Sequence, residues 1–396
     1  MTAPEVQAPR AAWLTPERAR LVTIAGVAIA LISLALQLPM FLDIGPLDLL
    51  RGILQQLWVM VLLLVATAAT RTVSLGTLGI AFLVGALPAM ALALLLEWPV
   101  ATVFGVGEGS LALVLWVPPV EEAVKLLPVG LYLYFASRGN NRQPAITDGL
   151  LVGFAVGAGF AFYEDGLAGE ILSGGGWTEV LPWSLLLPTL FDLGDFSILN
   201  HGLWTALAAL GLGFAFFFRP RRWAYAIAVL AFVVVTLQHM IFNYFAGDFL
   251  SMLEALGRAE SPPWIALPQL LLANGLVPIL AVVFGTLAAV AFELRVLDWV
   301  SDRAPKLPSV SLRRQLQLLA GARSMVGFHK LRAATRYARH LRAVYYAAWR
   351  TEKLGAVPTN SRGELAWLGS LAAGADLAPG RAPARPADGI APVGGA

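Results

Sequence analysis

The chain is 396 residues long, 58% hydrophobic and only 13% charged, with a formal net charge of +3. Soluble domains carry about 25% charged residues, so this composition excludes an ordinary soluble fold. There is no cysteine, which excludes disulfides and thiolate metal sites. The basic excess sits mostly in the C-terminal tail, where it suits anionic lipid and argues against a nucleic-acid partner.

The apolar residues come in long runs, and a bilayer core needs about 20 of them per helix. They predict an all-α, polytopic membrane bundle of about eight transmembrane helices: 21–42, 53–70, 74–96, 111–135, 146–167, 196–218, 223–245 and 264–294. The first run is longer than a signal-peptide core and lacks a small-residue cleavage site. The eighth contains Pro268 and Pro278, which predict a kink or an interfacial start.

Basic residues set the orientation. Arg10, Arg18 and Arg20, Arg71, Arg138 and Arg142, and Arg219, Arg221 and Arg222 fall on one side; only Arg51 and Arg258 fall on the other. Both termini are therefore expected in the cytoplasm. The expected organisation is a cytoplasmic segment 1–20, a transmembrane domain 21–294 with its catalytic core at about 110–245, a basic cytoplasmic helical tail 295–354, and a disordered Ala/Pro/Gly-rich tail 355–396. The basic tail is periodic, with Leu316, Leu319, Leu341 and Tyr345 among its apolar positions. It reads either as a hairpin packed on itself or as a helix lying on anionic lipid.

A charge at the centre of a bilayer costs roughly 2.5–3.5 kcal/mol, so such residues are functional candidates. Here they gather in four consecutive spans. The fourth carries Glu121, Glu122 and Lys125 near its middle, just after Pro118 and Pro119, which are expected to bend the helix around a cavity. Glu121 and Lys125, four apart, share a face, whereas Glu122 points elsewhere and needs another partner. The fifth has Gly149, Gly153 and Gly157 at every fourth position, a bare stripe for close helix approach, continued by Phe160 and Glu164. His201 opens the sixth, and the seventh holds His239 and Asn243 one turn apart; the other two histidines, His329 and His340, lie in the tail. The alternating span directions place Glu121, Glu164, His201 and His239 together in the middle-to-outer part of the membrane.

The order Glu-Glu-x-x-Lys at 121–125, Phe-x-x-x-Glu at 160–164, a histidine opening the next span, and His-x-x-x-Asn at 239–243 resembles the PrsW-type intramembrane proteases. More distantly it is similar to the CAAX-processing and bacteriocin-processing superfamily, which usually has Arg at the position of Lys125 and His at that of Glu164. Asp165 stands where the PrsW pattern has Asn. The resemblance covers about residues 110–245. It implies hydrolysis of a peptide bond in a membrane protein, in the prototype a single-pass anti-sigma factor cut on its extracytoplasmic side.

These residues predict an intramembrane endopeptidase. Glu121 is the expected general base, supported by Glu164; Lys125 and Glu122 orient it; His239 and Asn243 donate to the oxyanion; and His201 positions water or joins a metal. A metal version, with zinc the natural ion, would use Glu121, Glu164, His201 and His239. The alternative class is a non-enzymatic carrier or scaffold with an intramembrane ion or proton network, disfavoured by the lack of a repeated half. The loop 168–195, with Gly174, Gly175, Gly176, Trp177 and the apolar run 181–188, is expected to cover the outer mouth as a cap or a gate.

Overall fold

The computed structural model describes residues 28–29, 31–35, 46–104, 114–138, 143–167, 201–219, 221–244, 262–272, 276–302 and 325–354. Most of the first predicted span, the loop 168–195, Leu316, Leu319 and the tail from 355 lie outside the described residues. All regular structure among those described is helical. In chain order the helices are α1 Pro46–Ala66, α2 Leu75–Phe104, α3 Val117–Arg138, α4 Ile146–Leu167, α5 His201–Phe217, α6 Arg222–Tyr244, α7 Pro263–Leu271, α8 Leu276–Ser301 and α9 Met325–Leu354.

Among the described residues, four stretches are long and apolar enough to cross a bilayer: Leu75–Phe104, Ile146–Glu164, Arg222–Tyr244 and Pro263–Ser301. Leu57–Ala66 and α5 are shorter apolar helices. Leu83 and Leu95 of α2, Val229 and Leu230 of α6, and Phe284 and Leu287 of α8 expose apolar side chains to the outside. In water this surface would aggregate; in hydrocarbon it is the expected exterior.

Helix α4 is central, its most apolar window wholly buried. The glycine stripe explains how α5 reaches it. A Cβ at Gly153 would stand 2.7 Å from the Thr205 carbonyl oxygen, and one at Gly157 would stand 2.1 Å from the His201 carbonyl oxygen. Only a bare backbone permits that approach. On its other side α4 meets α2, where a π-turn at Gly85–Ala89 surrounds Pro88, which has no N–H to donate.

Several boundaries differ from expectation. Pro118 and Pro119 do not bend a helix from within; they lie in the first turn of α3, where a missing N–H costs nothing and the fixed φ suits a helix start. Glu121 and Glu122 therefore lie in the second turn of α3 and not at mid-helix. The third predicted span runs on from Leu96 to Phe104. Within the eighth, α7 ends at Leu271 and α8 starts at Leu276.

The end of the bundle remote from Glu164 is tied together by polar bonds. Asp148 accepts from the backbone N–H groups of Thr72 (2.8 Å), Val73 (2.9 Å) and Ala145 (3.0 Å), and from the Thr72 hydroxyl. Glu293 of α8 accepts from both the backbone N–H and the hydroxyl of Thr147, each at 2.9 Å. Together they occupy donors at the start of α4 that no helix satisfies internally. Glu293 is fully buried and was not expected as a charge in the eighth span.

Helix α9 docks at this end. Leu341, Val344 and Tyr345 pack with Val300 of α8, while Tyr346 and Trp349 meet Phe217. The Arg342 guanidinium donates to the carbonyls of Ala68 (3.1 Å) and Arg71 (3.0 Å), just beyond α1. Tyr346 Oη donates to Thr70 O at 2.9 Å, and Arg350 donates to Gln143 Oε1 at 2.5 Å. Burial, with Arg219 nearby, pushes the Arg350 guanidinium down to about 10. The apolar face of this helix thus covers the transmembrane domain.

Candidate active site

The polar residues of the four central helices meet at one end of the bundle. Glu121 and Glu122 stand near the start of α3, Glu164 near the end of α4, His201 at the start of α5, and His239 near the end of α6. Helices running in alternating directions bring these termini together. Asn243 is half-buried one turn beyond His239.

The Lys125 ammonium is fully buried between two carboxylates of its own helix. It stands 3.2 Å from Glu121 Oε2 and 2.7 Å from Glu122 Oε1, and 4.3 Å from the centre of the Phe160 ring. It also lies 2.5 Å from His201 Nδ1. An ammonium only donates, so Nδ1 of His201 is the acceptor there. The proton of that imidazole is then on Nε2, which pairs with Glu164 Oε2 at 2.5 Å.

His239 is held in a similar way. Its Nδ1 is 3.1 Å from Glu122 Oε1, so Nδ1–H donates and the lone pair is left on Nε2. Nε2 faces Glu121 Oε2 at 3.9 Å, and His201 Nδ1 faces the same oxygen at 3.7 Å. Two imidazole nitrogens and one carboxylate oxygen thus converge, with the Lys125 ammonium against one of the nitrogens. Each imidazole is oriented by a different carboxylate on its far side.

Aromatic rings close the cluster. Trp204 stacks on His239 with centroids 4.6 Å apart, the two imidazoles are 4.8 Å apart, and Phe160 lies 5.2 Å from His201. Trp204 carried no signal in the sequence beyond one more apolar position. Glu164 is the open member, its side chain 40% exposed against 6% for Glu121.

The donor set fits a metal. Glu121, His201 and His239 each offer a ligand atom, all within 4.8 Å of one another. Donors around one zinc ion at about 2.0–2.2 Å lie no more than about 4 Å apart, so a small contraction suffices. Carboxylates beyond the imidazoles are the usual orienters of metal-bound histidines. Charge points the same way: Glu121, Glu122 and Glu164 face one lysine, leaving two negative charges that a divalent cation would balance.

A buried carboxylate–histidine centre shared by four packed helices has the donor set that a metal-using intramembrane hydrolase requires. Residues 74–283, more than half of the chain, match the PrsW family intramembrane metalloproteases, and the chain belongs to that family. It is therefore a membrane-embedded protease with a protein substrate, which displaces the carrier or scaffold alternative. No curated protein and no solved structure matches it.

Proposed function

We propose that the protein cuts a single-pass membrane protein in the outer half of the bilayer, with Glu121 accepting the proton of the attacking water. One observation carries this reading: Glu121 is the carboxylate nearest to both inner imidazole nitrogens, His201 Nδ1 at 3.7 Å and His239 Nε2 at 3.9 Å. Its contacts to Lys125, His201 and His239 run through Oε2. Oε1 is then the atom that takes the proton, and later returns it to the departing amine.

Glu121, His201 and His239 would hold the metal, zinc being the natural ion for an N/O set; when bound it would supply Lewis acidity and lower the pKa of water. Glu164 and Glu122 fix the two imidazoles. His239, with its lone pair inward, fits a ligand better than an oxyanion donor, which leaves the Asn243 amide for the oxyanion. Lys125 bridges Glu121 and Glu122, offsets one of their two charges and holds them in register. The α9 helix, through the basic side chains it does not bury, would also rest on anionic lipid.

The test is Glu121→Gln in the full chain. Cleavage of a single-pass reporter should fall by roughly 10²–10⁴-fold, the range for losing a general base. Membrane proteomics should show one single-pass protein accumulating. A folded variant that cleaves at the wild-type rate would remove Glu121 from this role.

A further inference from the structure

The apolar run of the third span fades at Leu96, one residue short of a carboxylate that the fold turns toward the site. Helix α2 packs Met90 and Ala93 against Val124 of α3 and against Phe160 and Tyr163 of α4. Glu97 is one turn beyond Ala93 on that face, as Glu164 is one turn beyond Phe160. Trp116, five residues before Glu121, donates its indole N–H to Leu96 O at 3.4 Å, so α2 and the start of α3 are joined beside Glu97. Glu97 lies within electrostatic reach of Glu164, Lys125 and His201, and Glu121 senses it in turn. Its Oε1 is shielded from solvent and has no hydrogen-bond partner among the described residues.

A shielded carboxyl oxygen without a donor is costly to keep. A structural role would be served by an apolar side chain there. From this geometry we infer that Glu97 is a substrate-binding residue, whose Oε1 accepts a backbone N–H of the membrane peptide beside the bond to be cut. The chemistry of the substrate supports that choice. A spanning segment is helical, and its peptide bonds are hidden in the i to i−4 ladder. To reach Glu121 the segment must open locally, which frees N–H groups in a medium that offers no water to satisfy them. Basic side chains are rare in such segments, whereas freed N–H groups are present in all of them. A carboxyl oxygen accepts an N–H whether the group is charged or neutral.

The inference rests on the proposed proteolysis, which loss of cleavage in Glu121→Gln establishes without reference to Glu97. The experiment measures KM and kcat on a reporter substrate for the wild type, Glu97→Gln and Glu97→Ala. Glu97→Ala should raise KM about tenfold, the loss expected for one hydrogen bond into a dry site. Glu97→Gln keeps an acceptor oxygen and should stay within about twofold of wild type. A proline scan of the reporter around the cut supplies the second arm, since proline has no N–H to give. At one position proline should cost the wild type about tenfold and cost Glu97→Ala nothing further. Equal losses in Gln and Ala, or a proline penalty that is unchanged in Glu97→Ala at every position, overturn the assignment.

Discussion

The Nδ1 atom of His239 stands 3.1 Å from Glu122 Oε1, so the carboxylate next to Glu121 in sequence orients the ring that Glu121 faces. Glu122 thus acts behind the imidazole. Glu122→Gln keeps an acceptor for Nδ1–H but removes the charge that makes the ring a stronger ligand. Metal affinity should fall 10–100-fold, the usual loss for an outer partner of a metal-bound histidine. Chelator competition on purified protein, read by metal analysis, checks this. Wild-type affinity would show that the pair is a packing contact only.

Gly157 links the packing of α4 to the site. A Cβ there would come within 2.1 Å of the His201 carbonyl oxygen and 2.7 Å of Thr205 Oγ1. Backbone cannot swing aside, so Gly157→Ala must displace the start of α5 and His201 with it. Cleavage should drop at least tenfold, and metal binding should weaken in the same variant. Gly79→Ala is the control, because a methyl group at that position would meet nothing within 4 Å. That variant should match the wild type in both assays.

The site was legible because its residues are costly in a membrane. Glu121, Glu122, Lys125, Glu164, His201 and His239 stand out in apolar runs, and helical spacing alone paired Glu121 with Lys125. Glu122 was expected to need a partner other than Lys125, yet its Oε1 pairs with Lys125 at 2.7 Å, because residues three apart also meet on a helix. Its further partner, His239, was not legible, because it lies 117 residues away on α6. Glu97 escaped because hydropathy fades at a span end without saying where the helix stops. Trp204 escaped because an aromatic residue in a membrane helix is ordinary until it stacks on a histidine. The docking of α9 also stayed hidden: an amphipathic basic helix has the same pattern whether its apolar face meets lipid or protein.

Glu293 and Glu164 show two uses of a buried carboxylate around one helix. Glu293 holds the start of α4 through Thr147, and Glu164 stands 17 residues further on, about 25 Å along the axis. Glu293→Leu leaves the Thr147 N–H unpaired in a buried place and its hydroxyl with the Thr70 hydroxyl alone, at 3.4 Å. Stability should fall by about 1–3 kcal/mol, while kcat of the remaining folded enzyme should not change. Thermal unfolding in detergent, beside kcat at a permissive temperature, separates the two. A large fall in kcat without loss of stability would place Glu293 in the chemistry.

The docking of α9 depends on few polar bonds. Arg342 covers the carbonyls of Ala68 and Arg71, and Tyr346 covers that of Thr70. Burial lowers the Arg342 guanidinium from its ordinary value, a sign that its place is dry. In such a place an uncovered carbonyl costs about 1–3 kcal/mol. Arg342→Ala with Tyr346→Phe should therefore loosen the helix from the transmembrane domain without unfolding that domain. A loss of about 2 kcal/mol raises the undocked population roughly 30-fold. Trypsin reads that population directly, since α9 carries basic residues along its length, among them Arg336, Arg339 and Arg350. In solubilised protein the double variant should be cut within 325–354 at least tenfold faster than wild type, with the rest of the chain still protected. Equal cutting rates would mean that the apolar contacts of Leu341, Val344 and Tyr345 hold the helix without these bonds.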